Sequence, residues 1–309
     1  MVILLKKEAL VFLPTPVAPV CVDNENEYFI KRDDLTDFAL GGNKSRKMEY
    51  FMADALEQNS DTLVTYGSAN SNLCRVVSAA AVRYGMDCVL VKSVVHDSHE
   101  GANEKLIEMT GAKSILCQVS EVSETIEKTL AQLKKSGKRP YFIYGGGHGN
   151  IGTHAYTECY NEIKDLNFDY VFLASGTGTT QAGLVCGKLL SGGKETVVGI
   201  SIARKNPYGG QVVSDSVMEY LKFSEKPERF DAKSIIFCDD YIQNGYASFD
   251  GDIHKSINQM YKDNSIILDP VYTGKAYSGM KKYIEQNNIK GKKVLFLHTG
   301  GLPVFFSDR

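Results

Sequence analysis

Leu40-Gly41-Gly42-Asn43-Lys44-Ser45-Arg46-Lys47 stands directly before an amphipathic run, Met48 to Leu56. The pattern puts one amine, that of Lys44, at a glycine-flanked helix N-terminus. Two glycines let the backbone turn sharply and approach a ligand closely. A helix start offers free N–H groups and a positive dipole end, which lowers an amine's pKa and favours anions nearby. A lysine so placed is equipped to form a Schiff base with a carbonyl cofactor. Most lysines at helix starts are solvated surface charges, so the reading depends on the rest of the chain. A Walker loop is excluded, because Asn43 separates Gly42 from Lys44.

Outward from that stretch, strand-like and helix-like runs alternate. Strands are expected at Thr62 to Tyr66, Cys88 to Lys92, Lys113 to Cys117, Tyr141 to Tyr144, Tyr170 to Ala174, Thr196 to Ser201, Ser234 to Cys238 and Lys293 to His298. Helices are expected at Ser71 to Arg83, Glu100 to Met109, Val122 to Lys135, Ile151 to Ile163, Gln181 to Leu190 and Ala276 to Glu285. Such alternation predicts parallel sheets covered by helices on both faces. A chain of 309 residues has room for two lobes. The glycine-rich segment Gly145 to Gly149 marks a lobe boundary, giving a large domain of residues 1–50 plus 158–309 and a smaller inserted domain of 51–157.

A net charge of −2 gives no broad pull towards nucleic acid or an acidic membrane. No apolar stretch approaches the roughly 18 residues of a membrane helix. The short apolar start, Met1 to Leu5, has no basic region ahead of it and does not read as a signal peptide. Seven scattered cysteines without a C-x-x-C pair predict a reducing cytoplasm and no structural zinc. His96 and His99 are three apart with no matching Cys/His pair, so they read as loop histidines and no metal site is expected.

In open α/β sheets, ligands bind beyond the carboxyl ends of the strands. Three such ends carry small or hydroxylated residues: Tyr66 to Asn72, Ala174 to Thr180, and His298 to Gly301. Ser175-Gly176-Thr177-Gly178-Thr179-Thr180 opens a helix and forms a nest of N–H groups and hydroxyls for a phosphate. Position 181 is Gln, so the dinucleotide pattern G-x-G-x-x-G fails and a monophosphate cofactor fits better. Ser71 and Asn72, with Arg75 one turn on, read equally as N-capping residues and as donors to a ligand carboxylate or ring oxygen. Tyr272, in Asp269-Pro270-Val271-Tyr272-Thr273-Gly274-Lys275, is a candidate proton donor or a half-buried packing residue. Thr299 stands where it would bond a ligand ring nitrogen.

Taken in order, Lys31 to Leu35, Gly41 to Lys44, Ser71-Asn72 with Arg75, Ser175 to Thr180, Asn244-Gly245-Tyr246, Asp269 to Lys275 and His298 to Gly301 resemble the D-cysteine desulfhydrase and 1-aminocyclopropane-1-carboxylate (ACC) deaminase family. These are pyridoxal 5'-phosphate enzymes of the tryptophan-synthase-β-like fold (fold type II), with two open parallel-sheet lobes and the cofactor between them. The resemblance implies that Lys44 carries the cofactor and that Ser175, Gly176, Thr177, Gly178, Thr179 and Thr180 hold its phosphate. It implies Asn72 at the ring oxygen, Thr299 at the pyridine nitrogen, Ser71 at the substrate carboxylate, and Tyr246 and Tyr272 on the reacting face. It also implies a small amino-acid substrate and a homodimer.

Thr273 separates the two branches. ACC deaminases have Glu there, and the desulfhydrases Thr. A carboxylate keeps the pyridine nitrogen protonated and the ring a strong electron sink, whereas a neutral partner makes a weaker one. β-Elimination from a D- or β-substituted amino acid therefore ranks above cyclopropane ring opening. Racemisation, or a cofactor-binding homologue without turnover, are further readings on the same scaffold. The chain departs from the family pattern at Asn70, Leu73, His148 and Ala247, all within reach of a substrate side chain.

Overall fold

A computed structural model describes residues 5–23, 25–93, 101–225, 229–242, 245 and 250–307. Tyr246, Ala247, His96 and His99 lie outside the described residues. The strands are β1 Val17–Pro19, β2 Glu27–Arg32, β3 Thr62–Ser68, β4 Asp87–Ser93, β5 Lys113–Cys117, β6 Pro140–Ile143, β7 Tyr170–Ser175, β8 Thr196–Ser201, β9 Ile236–Cys238 and β10 Lys293–His298. The α-helices are α1 Asn43–Glu57, α2 Asn72–Arg83, α3 Ala102–Glu108, α4 Val122–Lys135, α5 Asn150–Asn161, α6 Thr179–Ser191, α7 Tyr208–Phe223, α8 Gly251–Asn264, α9 Thr273–Gln286 and α10 Leu302–Phe305.

Two sheets result. A six-stranded sheet runs β1-β2-β10-β7-β8-β9, and a four-stranded sheet runs β5-β4-β3-β6. Every pairing is parallel except β1 with β2. In the large sheet, alternate residues feed two cores. Phe172, Val294 and Phe296 enter one, and Val171, Leu173, Leu295 and Leu297 enter the other. A sheet covered on both faces needs strands apolar at every position, which explains the continuous runs of β7 and β10. The small sheet packs Leu63 and Leu90 against Met48, Phe51, Met52 and Ala55 of α1 and against α2. The limits 50/51 and 157/158 expected between domains fall inside α1 and α5. α1 packs with the small sheet, while Tyr156, Cys159 and Tyr160 of α5 pack with the large one.

Two strands had no expectation in the sequence, β1 and β2. β1 is only three residues and ends in Pro. β2, Glu-Tyr-Phe-Ile-Lys-Arg, carries two cations, one of which, Lys31, is fully buried. The strand expected from Ser234 starts at Ile236, because Asp231 caps a 3₁₀ turn over Ala232–Ser234 by accepting from the Lys233 N–H. No helix among the described residues is long and apolar enough to cross a membrane. No cluster of three or more His, Cys, Asp or Glu among them is placed to hold a metal.

Candidate active site

The carboxyl ends of β3, β6, β7, β8 and β10 and the first turns of α1, α2 and α6 surround one cleft of about 310 Å³. It brings together Lys44, Ser71, Asn72, Ser175, Gly176, Thr177, Gly178, Thr180, Tyr272 and Thr299. Thr179 is buried and off the lining.

Lys44 reaches the cleft because the start of α1 is fastened to the end of β10. The Asn43 N–H donates to the Thr299 carbonyl at 3.0 Å. Gly42 (φ +103°) and Gly300 (φ +95°) pass so closely that a Cβ on Gly300 would lie 2.6 Å from the Gly42 Cα. Both positions therefore require glycine. The Lys44 Nζ donates to the Gly146 carbonyl at 3.0 Å, and Lys47, one turn on, donates to the same oxygen at 3.2 Å. Burial pushes the Lys44 amine down to about 8. Burial, with the Lys44 charge beside it, holds Lys47 well below the ordinary lysine value. Desolvation is thus the cause that leads at Lys44. Lys47 escaped the sequence reading, although its spacing of three from Lys44 puts both on one helix face.

The other side of the same helix start is ionically paired. The Asp33 carboxylate accepts from Arg46 Nε at 2.9 Å and Nη2 at 2.7 Å, from the Tyr156 hydroxyl at 2.6 Å and from the Thr15 hydroxyl at 2.7 Å. Its backbone carbonyl accepts the Gly42 N–H at 2.9 Å. Arg46 Nη1 also donates to Glu162 at 2.6 Å, and the buried Lys31 ammonium joins the same carboxylate. Burial would raise the Asp33 carboxyl, but the Arg46 charge and hydrogen bonds hold it below the usual range. Burial opposes the Arg46 charge in turn, and the Asp33 carboxylate raises the guanidinium well above its ordinary value.

Opposite Lys44, the loop before α6 presents backbone N–H groups at Gly176 to Thr180, with Gly178 (φ +87°) as the left-handed N-cap. This is the arrangement a phosphate needs. Its hydroxyls have separate duties. Ser175 Oγ donates to Gln181 Oε1 at 2.8 Å, Thr180 Oγ1 accepts from Asn43 Nδ2 at 3.2 Å, and Thr179 Oγ1 meets His148 Nδ1 at 3.0 Å. Burial, with the charges of Lys47 and Arg204, keeps the His148 imidazolium disfavoured. Arg204, beyond β8, lines the cleft and donates to the Thr177 carbonyl at 3.1 Å. Its place at a strand's carboxyl end was the signal that would have found it.

At the remaining end, the buried Asp269 carboxylate accepts from the N–H groups of Val271, Tyr272 and Thr273 and from the Thr273 hydroxyl, at 2.8–3.0 Å. That turn aims Tyr272 into the cleft. Thr273 is fully buried and its hydroxyl is committed to Asp269 rather than to the cleft. Ser71 both lines the cleft and caps α2, accepting from the Cys74 N–H at 3.3 Å. Arg75 does not reach the cleft. It is buried against the Gly41 carbonyl, and burial draws its guanidinium down to about 10. Leu73 lines the cleft but is mostly a core residue.

A family model described as pyridoxal-phosphate dependent enzyme matches residues 10–300. Among solved structures, one described as an ACC deaminase homologue is 30% identical, with a TM-score of 0.88, over 97% of this chain and 93% of that one. A hydrogen sulfide-producing enzyme from Fusobacterium nucleatum is 16% identical, with a TM-score of 0.66, over 94% and 96%. An O-ureido-L-serine synthase is also 16% identical, with a TM-score of 0.66, over 93% and 88%. The last two share the fold. The chain belongs to the pyridoxal-phosphate dependent enzyme family, with fold type II architecture, and a cleft lined by both the Lys44 amine and the Gly/Thr loop before α6 fits that cofactor.

Proposed function

We propose that this pyridoxal-phosphate dependent enzyme eliminates a β-substituent from a small D- or β-substituted amino acid, in the manner of a D-cysteine desulfhydrase. The observation that carries the reading is the absence of any carboxylate among the described residues lining the cleft. Thr273, where a carboxylate would distinguish ring opening, has its hydroxyl turned into the Asp269 turn. Without an anion at the ring nitrogen the electron sink is weaker, and a good β-leaving group is the chemistry such a sink serves.

Bound pyridoxal phosphate supplies the sink for the Cα electron pair. The chain supplies the rest. The N–H groups from Gly176 to Thr180 hold the phosphate, with Arg204 bracing the Thr177 carbonyl. Ser71 and the first turn of α2 receive the substrate carboxylate. The Lys44 amine, whose proton is loosened by desolvation, takes the Cα proton, and Tyr272 stands by as the second proton-handling group. For D-cysteine the electron pair left at Cα by that proton then expels the β-sulfur as sulfide. Water then hydrolyses the released enamine to pyruvate and ammonia, so that pyruvate, ammonia and the sulfide already expelled form in equal amounts.

Ring opening is the second reading, since the 30% identical structure is described as an ACC deaminase homologue. The two are separated by incubating the cofactor-loaded protein with D-cysteine and, in parallel, with ACC. Pyruvate and sulfide formed faster from D-cysteine than 2-oxobutyrate from ACC is the expected result. The reverse order would overturn the proposal.

A further inference from the structure

We propose that Asn103 is a positioning residue that turns the Asn72 amide so that its NH₂ faces the cleft as a donor to the cofactor's ring oxygen. This rests on the family membership and on Asn72 as the ring-oxygen contact, and it adds a residue from outside the cleft lining. One atom beside these amides has a fixed role. The Asn70 backbone carbonyl can only accept, and the nearest atom of the Asn103 amide lies 2.9 Å from it. That atom must be Nδ2, because an oxygen there would face an oxygen. The same Nδ2 lies 3.0 Å from the Asn72 amide. A donor needs an acceptor, so the Asn72 atom is Oδ1. The Asn72 Nδ2 is then directed away from Asn103, and Asn72 lines the cleft. One backbone carbonyl thereby fixes, through two amides, that the site presents a donor.

The surroundings hold Asn103 to this task. It is fully buried, and its backbone N–H donates to Asn70 Oδ1 at 3.1 Å. Asn70 is secured in turn by donating to Ser307 Oγ at 2.7 Å, and Ser307 Oγ also accepts the Ala102 N–H at 3.2 Å. Asn103 Oδ1 is a buried acceptor with no partner. Leaving such a group unpaired is costly, and an aliphatic side chain of similar shape would avoid the penalty. What an aliphatic residue lacks is the forked NH₂ that reaches both Asn70 and Asn72. The orphaned oxygen is thus the by-product of keeping a double donor at this point.

The test is a thermodynamic cycle on cofactor affinity. Wild type, N103A, N72A and the double variant are stripped of cofactor and titrated with pyridoxal phosphate, following the visible absorption band and its midpoint in pH. The single variants are each expected to bind about five- to tenfold more weakly, the loss of one hydrogen bond. Their band midpoints should move in the same direction, and the double variant should be no weaker than N72A alone. A merely structural Asn103 would instead lower the melting temperature of the cofactor-free protein and weaken binding equally in both backgrounds. Additive losses, or an N103A protein with wild-type affinity and band, would overturn the proposal. N103L, closer to Asn in shape, gives the same reading if N103A does not fold. A wild-type protein that takes up no cofactor would instead strike at the family-level reading.

Discussion

The first two turns of α1 carry three cations, Arg46 and Lys47 buried and Lys44 half-buried, on two faces that are treated in opposite ways. Arg46 is enclosed by Asp33 and Glu162, and its charge is reinforced. Lys44 and Lys47 share a single carbonyl, that of Gly146, and among the described residues neither is paired with a carboxylate. Desolvation therefore leads in weakening both charges, joined at Lys47 by repulsion from the Lys44 charge. The contrast teaches that burial has no fixed consequence for a cation. With a carboxylate beside it, the group becomes a rivet. With only a carbonyl, it becomes an amine ready to lose its proton. The rivet also serves the amine, since Asp33 holds both Arg46 and the Gly42 N–H at the turn that launches Lys44.

The largest effect that would break this division is on Lys44. Lys44→Ala should lower turnover by about a thousandfold or more, as expected for loss of both a covalent anchor and a proton carrier. It should leave the melting temperature of the cofactor-free protein unchanged or raised, because an unpaired half-buried amine is removed. Steady-state assay and calorimetry on the same sample read both, and retained turnover would end the scheme. Arg46→Met should do the opposite. Asp33 and Glu162 would be left without their guanidinium, at a cost of about 3–5 kcal/mol on urea unfolding. Turnover per folded, cofactor-loaded molecule should fall far less than for Lys44→Ala. A stable Arg46→Met protein would mean that the two faces do not differ in kind.

The lysine face was legible in the sequence and the arginine face was not, for a physical reason. A Gly-Gly turn before an amphipathic run states locally where Lys44 will stand, and the Gly/Thr loop at Ser175 to Thr180 does the same for an anion site. Both are signals of helix starts and strand ends, which depend on neighbours in the chain. Arg46 meets Asp33 and Glu162 from 13 and 116 residues away, a pairing no local pattern encodes. The same limit hid β2, whose buried Lys31 looks like a solvated charge until Glu162 arrives beside it. Thr273 shows the converse. Its place after Tyr272 is plain in the sequence, but its hydroxyl is turned to Asp269, a rotamer fixed by a turn rather than by spacing. Lys47 was readable from helical spacing, while Asn103 was not, because its meaning lies in two amides 31 and 33 residues earlier.

The finest test of the two faces is the pH dependence of cofactor uptake. Only the neutral amine attacks an aldehyde, so uptake by the cofactor-free protein follows deprotonation of Lys44. With its value near 8, about a tenth of the amine is neutral at pH 7, and the rate should climb roughly tenfold before levelling above pH 9. A solvated lysine, at its ordinary value of 10.5, would still be gaining rate through pH 10. The same depression has a stability signature with a definite sign. The folded state binds this proton less tightly than the unfolded chain, so stability of the cofactor-free protein should rise with pH between about 8 and 10.5. In Lys44→Met the Lys44 share of that increment should be lost, while the share from the likewise depressed Lys47 remains. Stopped-flow absorbance supplies the rate profile, and urea titrations at several pH values supply the stability. A rate still rising severalfold per pH unit at pH 10 would mean that Lys44 is hydrated like any surface lysine. The two faces of α1 would then differ in their partners but not in their dryness, and burial could no longer be the cause of the amine's reactivity.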